Sequence, residues 1–233
     1  MSTLRPGAWF VTGTDTGVGK TRVSGALLRA ARELGATVAG MKPVAAGGIV
    51  HDGRKINEDA AYLALNSGQI TPDELLNPYC LPDPISPHIA AKRAGIEIDI
   101  GHIVRCAETI ARGHRLVLIE GAGGWYAPIN ERETMADMVR ALNIPVLLVV
   151  GLRLGCLNHA VLTRRAIERE HCVLQGWIGS HVDPHFAASA ENIATLVRLL
   201  RSEPMALLAY SHDTRTDAAA LRAAAATLLA RAG

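Results

Sequence analysis

The sequence comprises 233 residues, of which 49% are hydrophobic and only 4% aromatic, and its formal net charge is +2 at pH 7. This length predicts one domain over residues 1–233, because it suits one sizeable core and leaves little room for a second. The balanced charge gives no electrostatic footprint for nucleic acid, and no apolar run approaches the ~20 residues that span a bilayer. The four cysteines lack zinc-site spacing and no signal-peptide pattern is present. We therefore expect a cytoplasmic protein with reduced thiols and no nucleic-acid or membrane partner.

Apolar runs alternate with helical patterns along the whole chain, which is typical of repeated βα units. In chain order, the pattern predicts a strand at 8–12, a helix at 20–34, a strand at 37–41, a Gly-rich loop at 47–55, a helix opened by Asn57, and an irregular proline-rich loop at 71–87. There follow helices at 86–94 and 99–112, strands at 116–119 and 145–150, a helix after Gly155, a strand at 174–178, a helix, a strand at 205–208 and an Ala-rich helix. Because Val, Ile, Leu and Ala must fill the core, the fold class is α/β, with a mostly parallel sheet flanked by helices.

The segment GTDTGVGKT occupies residues 13–21, between the first strand and the first helix. Successive backbone N–H groups in such a turn bind an anion, and the helix N-terminus adds its positive end. Lys20 would reach the β- and γ-phosphates of a nucleotide, and the Thr21 hydroxyl would bind Mg²⁺. The strict GxxxxGK[ST] spacing is not met, because five residues separate Gly13 from Gly19. The flanking strand and helix nevertheless favour a P-loop NTPase fold over a Gly-rich helix start with a chance lysine.

Three charged residues are candidates for the same site. Glu120 closes an apolar strand and is followed by glycines, so it could hold Mg²⁺ or simply cap the strand at the surface. Lys42 ends the second strand, where it could neutralise a second anion or remain solvated. Asp59 lies in the first turn of a helix, where an acid commonly complements the helix dipole. For all three, a local role and a catalytic role stay open.

A further polar segment, residues 151–159, opens a helix whose free N–H groups could hold a carboxylate. Asn158 could equally be an ordinary helix cap. Ligands of open parallel sheets bind beyond the carboxyl ends of the strands. We therefore expect this segment to converge with residues 13–21, 42–48 and 120–124.

Five segments together resemble the dethiobiotin synthetase family in order and spacing: GTDTGVGKT, MKPVAAG, NPYCLPDPISPHIAA, LVLIEGAGGWYAPI and PVLLVVGLRLGCLNHAVLT. They cover most of the chain, whereas the C-terminal segment matches poorly. The resemblance implies a cyclo-ligase that uses ATP and Mg²⁺ to form the ureido ring of dethiobiotin from 7,8-diaminononanoate and CO₂. It implies a carbamate and a carbamic-phosphoric anhydride as intermediates, and a homodimer whose substrate lies across the interface, near Tyr126.

The resemblance also implies roles for individual residues. Those in catalysis are Thr16, Lys20 and Lys42, and those that bind Mg²⁺ are Thr21, Asp59 and Glu120. Nucleotide binding is implied for Gly17, Val18, Gly19, Lys20, Thr21, Arg22, Asp59, Glu120, Gly121, Ala122, Gly123, Ser180 and His181. Substrate binding is implied for Lys42, Ala46, Gly155, Cys156, Leu157 and Asn158.

The sequence departs from the family pattern in three places, the last of which spans two residues. Gly17 replaces a residue that is often acidic, and Ala46 replaces a hydroxyl residue that contacts substrate. Ser180 and His181 stand where the family commonly carries Asn-Asp at the adenine pocket, so the nucleotide preference is open. The alternative function is a partition or septum-placement ATPase switch. Such proteins carry a signature lysine in the slot held here by Asp15, and a basic surface that this sequence lacks.

Overall fold

Strands and helices alternate along the residues that the computed structural model describes, which are 4, 7–51, 54–68, 71–211 and 216–232. The strands within this part are β1 (Ala8–Gly13), β2 (Val38–Met41), β3 (Val44–Ala46), β4 (Ile49–His51), β5 (Arg54–Ile56), β6 (Tyr79–Leu81), β7 (Leu116–Gly124), β8 (Val146–Leu152), β9 (Leu174–His181) and β10 (Ala206–Leu208). The helices are α1 (Lys20–Glu33), α2 (Glu58–Ser67), α3 (Asp73–Leu76), α4 (Pro87–Ala94), α5 (Ile100–Ala111), α6 (Met135–Leu142), α7 (Cys156–Arg169), α8 (Ser189–Leu200), α9 (Asp217–Ala220) and α10 (Arg222–Ala230).

Six strands form a parallel sheet in the order β10-β9-β8-β1-β7-β2. Every residue of β1 is buried, because strands flank it on two sides and helices cover both faces of the sheet. The order places the carboxyl ends of β1, β7 and β2 side by side. Ligands bind at this edge of open α/β sheets, and the segment 13–21 follows β1 there.

Aliphatic side chains fill the core on both faces of the sheet. On one face, Leu27 of α1 and Leu228 of α10 pack in a cluster with Val11 of β1. On the other, Ile103 of α5 and Met138 of α6 pack in a cluster with Phe10. Each fully buried Leu, Ile or Phe of this kind contributes ~1.5–3 kcal/mol relative to an exposed one. The predicted fold class, a P-loop-type α/β fold with a mostly parallel sheet, is confirmed.

The predicted loop at 47–55 is wrong in part, since β4 and β5 pair there as a short antiparallel ladder. Each of the two strands spans three residues. A segment of that length is too short to show the period-2 alternation that identifies a strand. Residues 52–53, between them, lie outside the described part of the chain.

The proline-rich segment 71–87 is also more ordered than predicted. It contains helix α3 and strand β6, and β6 pairs parallel with β3 in a second, two-stranded sheet. Pro72 is the N-cap of α3, and Pro78 directly precedes β6. Prolines at the start of an element cost little, because no ladder or helix hydrogen bond is lost there. Helix α6, which the pattern does not predict, begins with a capping box between Thr134 and Asp137.

None of the helices in the described ranges is both long enough and apolar enough to cross a membrane.

Candidate active site

A cavity of about 710 Å³ opens at the carboxyl ends of β1, β2 and β7. The start of α1, the loop after β2, the start of α2 and the end of β7 all contribute to it. The sequence-predicted residues on its surface are Thr16, Gly17, Gly19, Lys20, Thr21, Arg22, Lys42, Ala46, Asp59, Ala122 and Gly123. Three of the segments that were expected to converge, 13–21, 42–48 and 120–124, therefore meet at one site, whereas residues 151–159 do not line it in this chain.

The phosphate loop has the backbone conformation that its glycines allow. Gly17 and Gly19 have φ values of 72° and 87°, in the left-handed region. A side chain at Gly19 would be strained by this conformation, and its Cβ would lie only 2.7 Å from Ser180 Oγ. Lys20 follows as the first residue of α1, so the loop leads directly into the positive end of a helix dipole.

Lys20 is buried at the floor of this loop, with 7% of its surface exposed. Its ammonium group donates to the carbonyl oxygen of Asp15 at 3.0 Å. Burial lowers the pKa of Lys20 to about 8, and the positive charge of Lys42 acts in the same direction. A lysine that is already desolvated and close to another cation is well suited to bind an anion.

Lys42 lies between two carboxylates at the centre of the site. Its Nζ is 2.7 Å from Glu120 Oε1 and 2.8 Å from Asp59 Oδ2. Burial opposes the charge on Lys42, but Glu120 and Asp59 outweigh it and raise the pKa of the lysine above its usual value. Likewise, burial opposes ionisation of Asp59, but Lys42 and the hydroxyl of Thr21 lower its pKa below the usual value. Lys42 is thus not a solvated lysine, and Asp59 does more than complement the dipole of α2.

The donor set around Thr21 fits a divalent cation. The Thr21 hydroxyl donates to Glu120 Oε1 at 2.7 Å, and Asp59 faces the same point. Glu120 is fully buried, and its Oε2 has no hydrogen-bond partner among the described residues. In the same ranges, no three His, Cys, Asp or Glu side chains are grouped to hold a metal alone. Such a partial set of oxygen ligands suits Mg²⁺ bound together with nucleotide phosphates.

An ion pair links the phosphate loop to the start of α7. Arg153 Nη2 lies 2.9 Å from Asp15 Oδ2, and the other carboxylate oxygen of Asp15 accepts from the backbone N–H of Thr16 at 2.7 Å. Both side chains are more than a third exposed, so the pair contributes little to stability. Its effect is to orient the loop.

Several of the sequence-predicted residues lie off the cavity surface. Val18, Glu120 and Gly121 are buried behind it, and Ser180 is packed behind Gly19 with 1% exposure, while His181 follows it at the end of β9. The α7 start at Gly155, Cys156, Leu157 and Asn158 is separate from the cavity of this chain. Tyr126 is 47% exposed, and its hydroxyl donates to Glu170.

Some cavity residues are not among the predicted site residues, although they lie in segments that resemble the family. One wall is formed by the end of the proline-rich segment, Pro84, Ile85, Ser86 and Pro87, and by Ala127 and Pro128. Apolar residues and prolines at irregular positions carry no chemical motif. Only their place in the fold, directly before α4 and after β7, brings them to the site.

A family model described as an AAA domain matches residues 8–215. The chain is 46% identical over 209 residues to the ATP-dependent dethiobiotin synthetase BioD of Nitrosospira multiformis, covering 89% of this chain and 91% of that protein. It is 43% identical over 219 residues to the protein of the same name from Aromatoleum aromaticum, covering 93% and 97%.

Solved structures similar to this chain include the MinC:MinD cell division protein complex of Aquifex aeolicus, with a TM-score of 0.62 at 15% identity over 96% of each chain. A ParA family ATPase from Chlorobium tepidum gives 0.54 at 11% identity, over 97% of this chain and 98% of that one. At such low identity these likenesses show the P-loop NTPase fold alone. The extent and identity of the sequence matches show more: the chain belongs to the ATP-dependent dethiobiotin synthetase family.

Proposed function

We propose that this protein closes the ureido ring of dethiobiotin from 7,8-diaminononanoate, CO₂ and ATP, in the cytoplasm. The observation that carries the proposal is the cluster of Lys20, Lys42, Thr21 and Asp59 on the surface of one cavity, with Glu120 buried directly behind it, in a chain that belongs to this family. Two lysines and two carboxylates suit a reaction in which a phosphoryl group moves between two anions.

The reaction would proceed in three steps. One amine of the substrate attacks CO₂ and loses a proton, which gives a carbamate. A carbamate oxygen then attacks the γ-phosphorus, the bond from that phosphorus to the bridging oxygen breaks, and ADP leaves. The second amine attacks the carbonyl carbon of the resulting anhydride, the carbon–oxygen bond breaks, and phosphate is expelled as the amine loses a proton.

The residues of the chain would act mainly by position and charge. Lys20 would hold the β- and γ-phosphates at the phosphate loop. Lys42, which lies between the two carboxylates, would stabilise the carbamate and the anhydride, with Thr16 close by. Thr21, Asp59 and Glu120 would hold Mg²⁺, which neutralises charge on the phosphates when bound.

The substrate's carboxylate needs a different site, because the cavity described above already has its cations assigned to phosphate and carbamate. The start of α7, after Gly155 with its φ of 93°, offers the first-turn backbone N–H groups of Leu157 and Asn158, whereas that of Cys156 already donates to the carbonyl oxygen of Arg153 at 3.0 Å. Asn158 is exposed there, and neighbouring Leu154 is 90% exposed. We propose that a second copy of the chain places this helix start at the mouth of the cavity, so that a homodimer forms each complete site.

Mixed dimers test the shared site. A Lys20→Ala chain retains its α7 start, and an Asn158→Trp chain retains its phosphate loop, so each homodimer should be inactive. Because a two-fold interface exchanges the same parts in both directions, mixing should restore about one working site per mixed dimer. The measurement is turnover against mixing ratio, with mixed dimers quantified by mass spectrometry. An absence of complementation when mixed dimers are present would exclude the shared site.

A second expectation concerns the base of the nucleotide. An asparagine can make a bidentate contact with adenine, which in nucleic-acid recognition is worth ~1–3 kcal/mol, or roughly 5- to 150-fold. Ser180 is too short for such a contact and is shielded behind Gly19. We therefore expect kcat/KM for GTP and CTP within about tenfold of ATP at equal Mg²⁺. An ATP preference beyond about a hundredfold would mean that another group, such as backbone near residues 207–211, reads adenine.

Phosphate release tests the proposed reaction against the alternative. With ATP and Mg²⁺, release should require both bicarbonate and the diamine, and omission of either should abolish it. An ATPase switch of the partition or septum type would release phosphate at the same rate without the diamine. That result would overturn the proposal in favour of the switch.

A further inference from the structure

A buried ion pair connects the phosphate-loop helix to the C-terminal segment. Arg22 Nε is 2.6 Å from Asp217 Oδ2, and Arg22 Nη2 is 2.7 Å from Oδ1. The side chains are only 16% and 5% exposed, and 195 positions separate them in the sequence. Bidentate pairs of this kind fix the plane of the guanidinium as well as its position. The guanidinium of Arg22 keeps its charge, as that of arginine does in proteins generally.

Arg22 contacts Asp217 on one side and faces the cavity on the other. It forms part of the cavity surface, next to Thr21 and Lys20. A guanidinium has five N–H donors, and the pair with Asp217 uses one on Nε and one on Nη2. Its Nη1 makes no hydrogen bond within the described ranges. A fixed cation with spare donors is therefore available to a ligand in this cavity.

The acceptor that these donors fit is the nucleotide. Lys20 and Thr21 serve the β- and γ-phosphates and the metal, and Arg22 comes directly after them at the helix start. The α- and β-phosphates, which remain on ADP, offer negatively charged oxygens that a guanidinium can bind. The diamine also carries a carboxylate, but the proposed function assigns that group to the start of α7, and the protonated amino groups of the diamine would be repelled by a guanidinium.

We propose that Asp217 is a positioning residue for nucleotide binding, which holds the Arg22 guanidinium against the phosphates that remain on ADP. Asp217 is not on the cavity surface and acts only through Arg22. The inference rests on the proposed function to the extent that a nucleotide occupies this cavity. It gives Asp217, which lies beyond the residues 8–215 that the family model matches, a role in the site.

The Arg22–Asp217 pair could instead have a purely structural role, in which it only holds the C-terminal helices against α1. Helix α10 packs on α1 through buried apolar residues such as Leu228. With a purely structural role, loss of the pair would lower the stability of the protein and leave its nucleotide affinity unchanged. The two roles differ in what Asp217→Asn does to ADP binding at a temperature where the protein is folded.

Calorimetry with ADP and Mg²⁺ separates these roles. Loss of a well-oriented hydrogen bond to a charged group lowers the binding free energy. Asp217→Asn and Arg22→Lys should therefore each weaken ADP binding by about tenfold. KM for ATP should rise in parallel while kcat stays within about twofold of wild type, since the lost contact is to the part that does not react. In an Arg22→Met background, Asp217→Asn should have no further effect on ADP affinity.

Leu228→Ala is the matched control, because it loosens the same helices without touching the pair. It should lower the melting temperature and leave ADP affinity unchanged. Wild-type ADP affinity in both Asp217→Asn and Arg22→Lys would overturn this inference and leave the proposed function standing. A wild-type protein that bound no nucleotide would contradict the proposed function, and the inference with it.

Discussion

Lys20→Ala is expected to lower kcat by ~10²-fold or more, which is the scale for loss of one preorganised charge at a transition state. The fold should survive, because the ammonium group of Lys20 contacts only the Asp15 carbonyl oxygen among the described residues. Its removal leaves no carboxylate without a counter-charge. The measurement is kcat at saturating substrates, together with a urea denaturation curve.

Lys92→Ala serves as the matched control for Lys20→Ala. Lys92 is an exposed lysine whose partner, Glu131, is equally exposed. Its removal changes the net charge by the same amount, and turnover should remain close to that of wild type. A folded Lys20→Ala protein with near-normal kcat would refute the assigned role.

Lys42→Ala is expected to abolish most turnover and also to destabilise the protein. Lys42 neutralises Asp59 and Glu120 at once, and Glu120 is fully buried. Removal of one partner of a buried pair typically costs ~3–5 kcal/mol, because the remaining charge is left uncompensated. The denaturation midpoint in urea should fall accordingly, whereas Lys20→Ala should show little change.

A second substitution separates the two effects of Lys42. In Lys42→Met with Glu120→Gln, the buried carboxylate is gone, so much of the stability should return while turnover stays low. ATP affinity of Lys42→Ala should fall far less than its rate of ring closure, since Lys42 is assigned to the carbamate. Calorimetry that showed lost ATP binding with intact diamine binding would reverse the assignment.

The fold could be predicted because its signals are local and repeated. The continuous apolar runs of β7 and β8 and the amphipathic period of helices such as α1 each extend over many residues. The small β3–β6 and β4–β5 sheets were missed because their strands span three residues each. Ala45 and Ala46 of β3 line the cavity, and β3 pairs with the distant strand β6, which no local pattern encodes.

The candidate site could be predicted where a residue type has a defined place at a strand end. Lys42, which follows β2, is an example, and the structure brings it together with Lys20 and Glu120, although their roles remain predictions. The predicted place of Glu120 at the end of its strand is wrong, because β7 continues beyond it to Gly124. The Arg22–Asp217 pair could not be found in this way. The resemblance implies nucleotide binding for Arg22, but no pattern connects it with Asp217, and only the packing of α9 on α1 brings the two into contact.

The most direct test of the proposed reaction is the fate of labelled bicarbonate. The protein is incubated with ATP, Mg²⁺, ¹³C-bicarbonate and 7,8-diaminononanoate, and the products are measured by mass spectrometry and a phosphate assay. We expect dethiobiotin that carries the label in its ureido carbonyl, in equal amount to the phosphate and ADP released. Phosphate released at an unchanged rate without the diamine, with no labelled ring product, would contradict the account.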